Sequence, residues 1–545
     1  MVKNFFKNKS VRAVGEVVLN TFILSILTGL FAGVVVTFYN IFASFGEEYS
    51  AQLYTLILQN PWSIPLLFIG LAAGAIVIGS FVKLVPMIRG SGIPQIEGAA
   101  RGVVKFRWYV TMCSMFAASL ACIFMGLPAG AEGPSLEIGG SAGSATATLL
   151  RRNQMVKRLQ IAAGASSGLA VAFNAPVTGM IFALEEAFHS FSARVFVCSA
   201  ISVIVAIITR NALRDALNLS VGFAFTSFSF TEMSISGCVY AAIAALVVSL
   251  AGVLLYHLVM LAKKLLKKVT FLKGTGKYII PFVLAGAFGL ITAYAMGGGH
   301  SFIEALGTNG TGEFNIETIF GSPVVVTLII VVVIRFIMVV ICMGCGVPCG
   351  VFIPMLAVGA GLGAILSLAF TAIGMDPTYT DYLIIICMAA FFTTIVRAPI
   401  TSIVMVFELT GQFTNCLPVL IGVAIGYFVG EMFRIDPIYE KCLDMFVEEE
   451  KINTSAKKQR VDVTVMPDSE ADGRMVRTLI WPAGGLVVEV VAADGHRFVP
   501  DGKTKLNAGD TITFECVAAS ADDLKEYLYE VVGKPEKVEI MPKNK

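Results

Sequence analysis

The sequence predicts an all-α polytopic membrane protein that ends in a small α+β domain. Hydrophobic residues make up 56% of the 545-residue chain and charged residues only 14%, whereas an average soluble domain carries about 25% charge. Several apolar runs are long enough, at a helical rise of about 1.5 Å per residue, to cross a hydrocarbon core of about 30 Å. After Tyr439 the composition changes to that of a soluble domain.

Long apolar runs alternate with short breaks rich in glycine and proline, and together they define a membrane part at residues 17–445. The first run is too long for the core of a signal peptide, so we interpret it as a retained transmembrane helix. The clearest candidate spans lie at residues 17–45, 63–82, 237–261, 324–343 and 382–396.

Basic residues indicate how the chain is oriented. Four lysine and arginine side chains lie in residues 1–16, before the first apolar run, and further basic clusters lie at residues 151–158 and 263–277. Because loops rich in lysine and arginine resist translocation, we expect all three segments on the cytoplasmic side.

Charge and cysteine content exclude other classes. A net charge of +2 is too small to indicate nucleic-acid binding. The eleven cysteines lie mostly in apolar segments, which argues against a disulfide framework. Cys342, Cys345 and Cys349 have a C-x2-C-x3-C spacing, but no fourth ligand is visible, so packing is favoured over a metal site. We predict neither a metal nor a cofactor.

The C-terminal residues have the pattern of a soluble α+β domain. A charged linker is predicted at residues 446–460 and the domain at residues 461–545. β-branched runs at 486–491 and 511–516 are separated by turn signals such as Asp494-Gly495. Residues 521–532 have helical spacing.

The membrane part contains an internal repeat. Two related halves, at about residues 17–210 and 236–435, are a frequent architecture of secondary transporters, with the substrate site at their interface. The sequence similarity alone leaves open whether the halves are parallel or inverted. The matching residues, all at one constant offset, are Gly126, Pro128, Gly130, Pro134, Leu136, Gly139 and Gly143 with Gly346, Pro348, Gly350, Pro354, Leu356, Gly359 and Gly363.

Short breaks lie at residues 90–94, 130–134, 350–354 and 437–439, and the first three predict helix starts within the membrane. Glycine permits a sharp turn, and proline suits the first turn of a helix. Helix N-termini that face one point would form an anion site, because their first N–H groups lack acceptors and the helix dipole is positive there. The alternative is that these residues only kink helices for close packing.

Glu132 lies inside the second break, where a carboxylate is costly unless it is functional or paired. Its ionised form would compete with a transported anion and its protonated form would release the site, so one residue would be both gate and proton carrier. The alternative is a capping carboxylate. For Glu185 and Glu186, which follow an apolar run, an inward and a solvent-facing position are both open. We expect Glu408 and Arg335 to be structural partners.

Residues 164–168 match G-x-S-x-G, the nucleophile-elbow pattern of hydrolases. That pattern belongs on a strand-to-helix turn, whereas here it lies in an apolar helical stretch with His189 as its near histidine. We therefore predict that the protein is not an enzyme.

The ordered motifs resemble those of the CLC family of chloride channels and proton-coupled chloride antiporters. These motifs are GSGIP at 90–94, GxEGP at 130–134, FNAPxxG at 173–179 leading to Glu185-Glu186, GxFxP at 350–354, and the late Tyr439. The resemblance implies the CLC fold, which has two inverted repeats, and a homodimer with one anion pathway per subunit. It also implies a multi-pass protein of the cell (inner) membrane with both termini in the cytoplasm.

The resemblance also assigns an anion site. By position, the Ser91 and Tyr439 hydroxyls donate to the central anion, assisted by the backbone N–H groups of Val351 and Phe352. Gly133, in the second break, is counted with these anion-binding residues.

Two glutamates match the proton-handling residues of the family. Glu132 matches the external gating glutamate, and Glu186 matches the internal proton-transfer glutamate that members working as channels usually lack. We therefore expect a proton-coupled chloride antiporter whose partners are chloride, protons and membrane lipid, and not nucleic acid. A passive voltage- or ligand-gated chloride channel of the same fold is the alternative.

Two positions depart from the family pattern. Ala131 replaces the usual arginine before the gating glutamate, so the outer anion site is expected to be less positive. Gln95 replaces the glutamate that commonly follows GSGIP, although Glu97 remains.

The C-terminal domain resembles the TrkA-C (RCK C-terminal) domain of potassium transporters and channels. This resemblance implies a regulatory module that binds a nucleotide or other small ligand, or else a dimerisation module. No G-x-G-x-x-G precedes it, so a dinucleotide is not indicated. A potassium pathway is a further alternative, but the chain has no TVGYG-like filter.

Overall fold

The computed structural model describes residues 18–187, 193–219, 225–230, 232–268, 274–411, 416–450, 457–467, 469–479, 481, 485–518 and 521–534. His189 and the basic residues of segment 1–16 lie outside these ranges. Within them, seven helices are long and apolar enough to cross a membrane. The chain is therefore a multi-pass membrane protein over most of its length.

Tilted helices of very different lengths make up the membrane part. The first predicted span is longer than expected and reaches Gln59. The α-helices are α1 Leu24–Gln59, α2 Ile64–Leu84, α3 Ile93–Ala100, α4 Trp108–Phe124, α5 Glu132–Leu149, α6 Gln154–Phe173, α7 Pro176–Phe182, α8 Ala193–Ala216, α9 Ile235–Lys268, α10 Ile279–Gly289, α11 His300–Leu306, α12 Val324–Cys345, α13 Phe352–Ala372, α14 Thr380–Val396, α15 Pro399–Thr410, α16 Leu417–Met432 and α17 Ile438–Glu449.

Glycine lets α5 and α6 pack in backbone contact. A side chain at Gly139 would strike the carbonyl of Gly164, and one at Gly168 would strike the carbonyl of Ser135. Such contact between small residues is a common way to join membrane helices. The G-x-S-x-G match at 164–168 therefore lies inside α6 as a packing face and not on the strand-to-helix turn that a nucleophile elbow requires.

The two predicted halves meet at equivalent residues. The Gly130 N–H donates to the Gly350 carbonyl at 2.8 Å, and the Gly350 N–H donates to the Gly130 carbonyl at 2.9 Å. A hydrogen-bonded pair that exchanges equivalent atoms in this way is what a local two-fold axis produces. The repeat in the sequence is thus a repeat in space.

A second exchange joins α7 and α15, which begin at Pro176 and Pro399. These residues extend the sequence repeat, because Ala175-Pro176 and Glu185 recur as Ala398-Pro399 and Glu408 with a slightly different offset. The Glu408 carboxylate of the second half accepts from the Val177 and Thr178 N–H groups at 2.9 and 2.7 Å. The Glu185 carboxylate of the first half accepts from the N–H groups of residues 400 and 401 at the same two distances. Each half thus caps a helix of the other.

The C-terminal domain is an antiparallel sheet covered by one helix. The strands are β1 Lys457–Thr464, β2 Leu486–Val491, β3 Arg497–Phe498 and β4 Thr511–Ala518, in the order β1-β4-β2-β3, and the helix is α18 Ala521–Val532. Strand β1 was not predicted, although its Val461 and Val463 are buried and alternate with polar residues. The predicted linker at 446–460 is correspondingly shorter, because α17 continues to Glu449 and β1 begins at Lys457.

Candidate functional site

Each of the four predicted breaks is followed by a helix start. Helices α3, α5, α13 and α17 begin at Ile93, Glu132, Phe352 and Ile438, and no side chain caps any of these four described N-termini. The first N–H groups of a helix have no acceptor within the helix. The four starts therefore leave unsatisfied donors inside the membrane part.

Three of these starts are packed against one another. A Cβ at Gly133 would lie 2.5 Å from the Ser91 carbonyl oxygen and 3.2 Å from the Gly350 Cα. Ser91 is buried, and so is Val351, which precedes the first residue of α13. The structure thus brings together Ser91, Gly133 and Val351, which sequence analysis took from separate segments.

A cavity of about 540 Å³ reaches this meeting point from one side. Among its lining residues are Ser91, Val351 and Tyr439. Four basic side chains, those of Lys83, Arg89, Lys263 and Lys277, also line it. Arg89 is paired with Glu449 and Glu450 at 2.9 Å each. Because Glu449 and Glu450 also line this cavity, the vestibule, the three lysines supply its excess of positive charge, which favours anions beside the uncapped helix starts.

Tyr439 lies at the end of this cavity with its side chain fully buried. Its hydroxyl has no hydrogen-bond partner among the described residues. Electrostatic interactions connect it with Glu186, Glu97 and Glu132. A buried hydroxyl without a partner is costly, and an anion in the vestibule would accept its hydrogen bond.

Phe352 contributes to the site through its backbone, because its side chain is engaged elsewhere. The ring is fully buried, with its centroid 5.0 Å from that of Phe173 and 4.3 Å from that of Phe392. This packing fixes the first turn of α13, so the N–H groups of Val351 and Phe352 have a fixed position next to Ser91.

Glu132, the first residue of α5, precedes Gly133 at this meeting point but does not line the cavity. The side chain is buried, and one carboxylate oxygen has no partner among the described residues. The other oxygen lies 3.4 Å from the His300 Nε2. A Cβ at Gly130 would collide with the partnerless oxygen, so this glycine makes room for the carboxylate.

The two adjacent glutamates that follow α7 have different surroundings. Glu185 caps α15, as described above. Glu186 is buried, and its Oε1 has no partner among the described residues. The π-helical turn Ala183–Ala187 carries both, and such turns are frequent at functional sites. The question left open by the sequence is thereby answered: Glu186 faces inward.

Two buried carboxylates for which no role was predicted lie near this path. Glu137 lies on α5, five residues after Glu132, and packs against Gly92 with neither oxygen bonded to a described residue. Glu97, on α3, has the same lack of partners and interacts electrostatically with Glu186. Gln95 donates to the Arg89 carbonyl at 2.6 Å. Glu97 and Glu137 each lie three residues after the proline of a break, on a buried helix, and this spacing was the available signal.

Ala131 leaves Glu132 without a basic neighbour in the sequence, as expected. The structure supplies basic groups from elsewhere. His300 contacts the carboxylate. Arg335 lies next to the glycine-rich loop that precedes His300, where it donates to the Met296 carbonyl at 3.0 Å. Arg335 is therefore a structural partner, as predicted, and Glu408 is another.

The comparisons with known proteins bear on the whole membrane part. Residues 73–431 match the family described as "Voltage gated chloride channel", and residues 460–529 match the TrkA-C domain. The H(+)/Cl(-) exchange transporter ClcA of Vibrio cholerae is 29% identical over 440 residues, which cover 79% of this chain and 90% of the relative.

Solved structures agree on the fold. A slow cyanobacterial Cl-/H+ antiporter superposes with a TM-score of 0.69 at 22% identity, covering 79% of this chain and 99% of the other. A CLC-type fluoride/proton antiporter superposes with a TM-score of 0.62 at 18% identity, covering 76% and 95%. The fold prediction is confirmed, and fold alone does not select the anion. The chain belongs to the voltage gated chloride channel (CLC) family and carries a TrkA-C domain after its membrane part.

Proposed function

We propose that this protein exchanges chloride for protons across the cell (inner) membrane. The observation that carries the proposal is the meeting of uncapped helix starts beside Ser91, with Glu132 at this point but outside the lining of the vestibule. The Vibrio cholerae relative is an H(+)/Cl(-) exchange transporter, which supports chloride as the anion.

Chloride enters through the basic vestibule and binds where Ser91, Tyr439 and the backbone N–H groups of Val351 and Phe352 converge. Desolvated donors of this kind bind an anion without a full positive charge, so the anion can also leave. Gly133 contributes by its small size, because any side chain there would displace Ser91.

Protons follow a second path that shares only its outer end with the anion. Glu186 accepts a proton on the vestibule side, and Glu132 carries it at the gate. The Tyr439 hydroxyl interacts electrostatically with both glutamates. When Glu132 is ionised it occupies the anion's place, and when protonated it withdraws. This alternation couples the two fluxes.

Flux measurements on the purified protein in liposomes test the proposal. An outward chloride gradient should drive proton uptake against the proton gradient. Chloride movement with no accompanying proton movement would refute antiport and leave the passive channel, the alternative of the same fold.

The assembly follows the family pattern in the proposal: a homodimer in membrane lipid with one anion path per subunit and both termini in the cytoplasm. The vestibule with its basic residues and the TrkA-C domain lie on the same side. Loops rich in lysine and arginine remain cytoplasmic, which supports that orientation.

The TrkA-C domain regulates exchange through direct contacts with the membrane part. Arg194, at the start of α8, is paired with Glu470 at 2.8 Å. Arg158, near the start of α6, stacks on the Tyr527 ring at 4.6 Å. Met155 belongs to the buried core of the domain. A nucleotide or other small ligand that shifts the domain would therefore move the ends of helices that flank Glu186.

Replacing Glu470 by lysine tests this contact. The Arg194–Glu470 pair becomes a repulsion, so chloride flux should change and any effect of added nucleotide should disappear. Glu489→Lys is the matched control, because Glu489 pairs with Arg497 inside the domain. Identical flux in the two variants would leave dimerisation as the role of the domain.

A further inference from the structure

His300 bridges solvent and the buried gate. Its Nε2 lies 3.4 Å from the Glu132 Oε1. The His300 side chain is 37% exposed, whereas that of Glu132 is 3% exposed. The imidazole therefore contacts the buried carboxylate and still has accessible surface.

The exposed surface of His300 is on the side opposite to the TrkA-C domain. Helix α5 begins at Glu132 and ends at Leu149, close to the basic segment that holds Arg158 and contacts the domain. Its 18 residues span about 27 Å at the usual helical rise. Neither Glu132 nor His300 lines the vestibule. Solvent must therefore reach His300 from the far side of the membrane.

Charged groups of two other helices surround the imidazole. Glu47, on α1, interacts electrostatically with His300 and accepts from the Gly298 N–H at 2.8 Å. Arg335, on α12, lies beneath the loop that leads to His300 and opposes its positive charge. The Phe225 ring covers one face, with centroids 5.7 Å apart.

The remaining acid on α11 is directed away from the gate. Glu304 accepts from the N–H groups of Thr226 and Ser227 at 3.1 to 3.2 Å. Among the described groups, Glu132 and Glu47 are thus the carboxylates that His300 can serve, and Glu132 is the one it contacts.

We propose that His300 is the outer proton-transfer residue of this exchanger, passing protons between solvent and Glu132. This inference rests on the proposed exchange function. The imidazolium gives its Nε2 proton to the Glu132 Oε1, which neutralises the carboxylate. The neutral ring, which now carries its proton on Nδ1, rotates to turn the free Nε2 toward water, takes a proton there and rotates back as imidazolium. The reverse order releases a proton to the outside, and no other reactant is needed.

The chemistry suits the position. Imidazole is the side chain that changes charge between about pH 5 and 8, so it is loaded and unloaded within the ordinary range of external pH. Positioned proton transfer contributes about 10²-fold or more to a rate. Without the imidazole, Glu132 would depend on rare entry of water past a nearly closed surface.

Exchange turnover in His300→Gln tests the proposal, because glutamine keeps a polar group of similar size but cannot carry a proton. The pH is varied on the face opposite to the TrkA-C domain. We expect turnover to fall about tenfold or more and to lose its inflection between about pH 5 and 8. Imidazole added to the buffer on that face should restore part of the rate in His300→Ala. His257→Asn, at an exposed histidine of α9, is the matched control.

The outcomes separate the hypotheses. Coupled exchange with an unchanged pH profile in His300→Gln would overturn the inference alone. A lower rate at every pH, with the inflection kept and no rescue by imidazole, would reduce His300 to a packing residue and also overturn it. If the unmodified protein moves no protons, the proposed function fails and the inference with it. In the Glu132→Gln background, His300→Gln should no longer change chloride flux.

Discussion

The two related helix starts at the centre of the molecule have the same backbone and different chemistry. Gly130 and Gly350 exchange hydrogen bonds, and each is followed two residues later by the first residue of a helix. In the first half that residue is Glu132, and in the second it is Phe352. The carboxylate can compete with an anion and bind a proton, whereas the phenyl ring only packs.

A second pair of equivalent residues behaves in the opposite way. Glu185 and Glu408 are the same residue in both halves, and each caps a helix of the other half with closely matched distances. Where the halves keep one residue, it holds the fold together. Where the two halves carry different residues at equivalent positions, the two ends of the site differ in chemistry. This contrast teaches which glutamates to assign to structure and which to transport.

The largest expected effect comes from removing the chemical difference between the two helix starts. Glu132→Gln removes the proton carrier but keeps the shape of the side chain, so uphill proton uptake should vanish while chloride still moves. The measurement is paired chloride and proton flux in liposomes. Glu408→Gln is the control and should remain coupled. Full coupling in Glu132→Gln would remove this residue from the proton path.

The neighbours Glu185 and Glu186 provide the next test. Glu186→Gln should uncouple protons from chloride with little loss of stability, because no described hydrogen bond depends on its side chain. Glu185→Gln should do the reverse and lower stability while coupling persists. Coupling ratios and thermal midpoints of both variants, measured side by side, decide the assignment. The same phenotype in both would contradict it.

The shared backbone of the two glycines can be tested by adding one methyl group. A Cβ at Gly350 would lie 2.5 Å from the Gly130 carbonyl oxygen, which is backbone and cannot rotate away. At Gly130 the main obstacle is the flexible Glu132 side chain, and the Gly350 oxygen is 3.2 Å away. Gly350→Ala should therefore lower the yield of folded protein and the anion flux more than Gly130→Ala. Equal losses of yield and flux in the two variants would contradict the close backbone contact between Gly350 and the Gly130 carbonyl.

The smallest expected effect concerns the two caps. Glu408→Gln and Glu185→Gln each weaken charge-assisted hydrogen bonds to two N–H groups and a threonine hydroxyl, at a cost of about 1–3 kcal/mol. Glu408 is the more buried, so its loss should be the larger. Thermal unfolding in detergent would measure both. A clearly larger loss of stability in Glu185→Gln than in Glu408→Gln would contradict this order.

Sequence patterns carried much of this architecture. The repeat, three of the helix starts and the TrkA-C domain rest on residues close together in the chain, where glycine, proline and turn signals act locally. Strand β1 was missed because its charged start, Lys457–Arg460, resembled a linker. The side of the helix on which Glu186 lies depends on a π-helical turn, which residue types alone do not reveal.

The gate's surroundings were hidden for another reason. His300 contacts Glu132, and Glu47 and Arg335 contact the loop that precedes His300, so the three side chains come from helices far apart in the sequence. No spacing rule connects such residues, and only the tertiary packing brings them together. The anion donors could be predicted because each belongs to a short motif, whereas the partners of the carboxylate belong to none.

The reciprocal hydrogen bonds between Gly130 and Gly350 also limit how the two halves of the protein can move. Each half is fastened to the other at its own midpoint, so sliding or rocking one half past its partner would break both bonds and separate three packed helix starts at once. Transport is therefore expected to proceed by the swing of single side chains within an almost stationary frame. The protein is therefore expected to gate by the rotation of a side chain and not by the rigid-body motion of two domains.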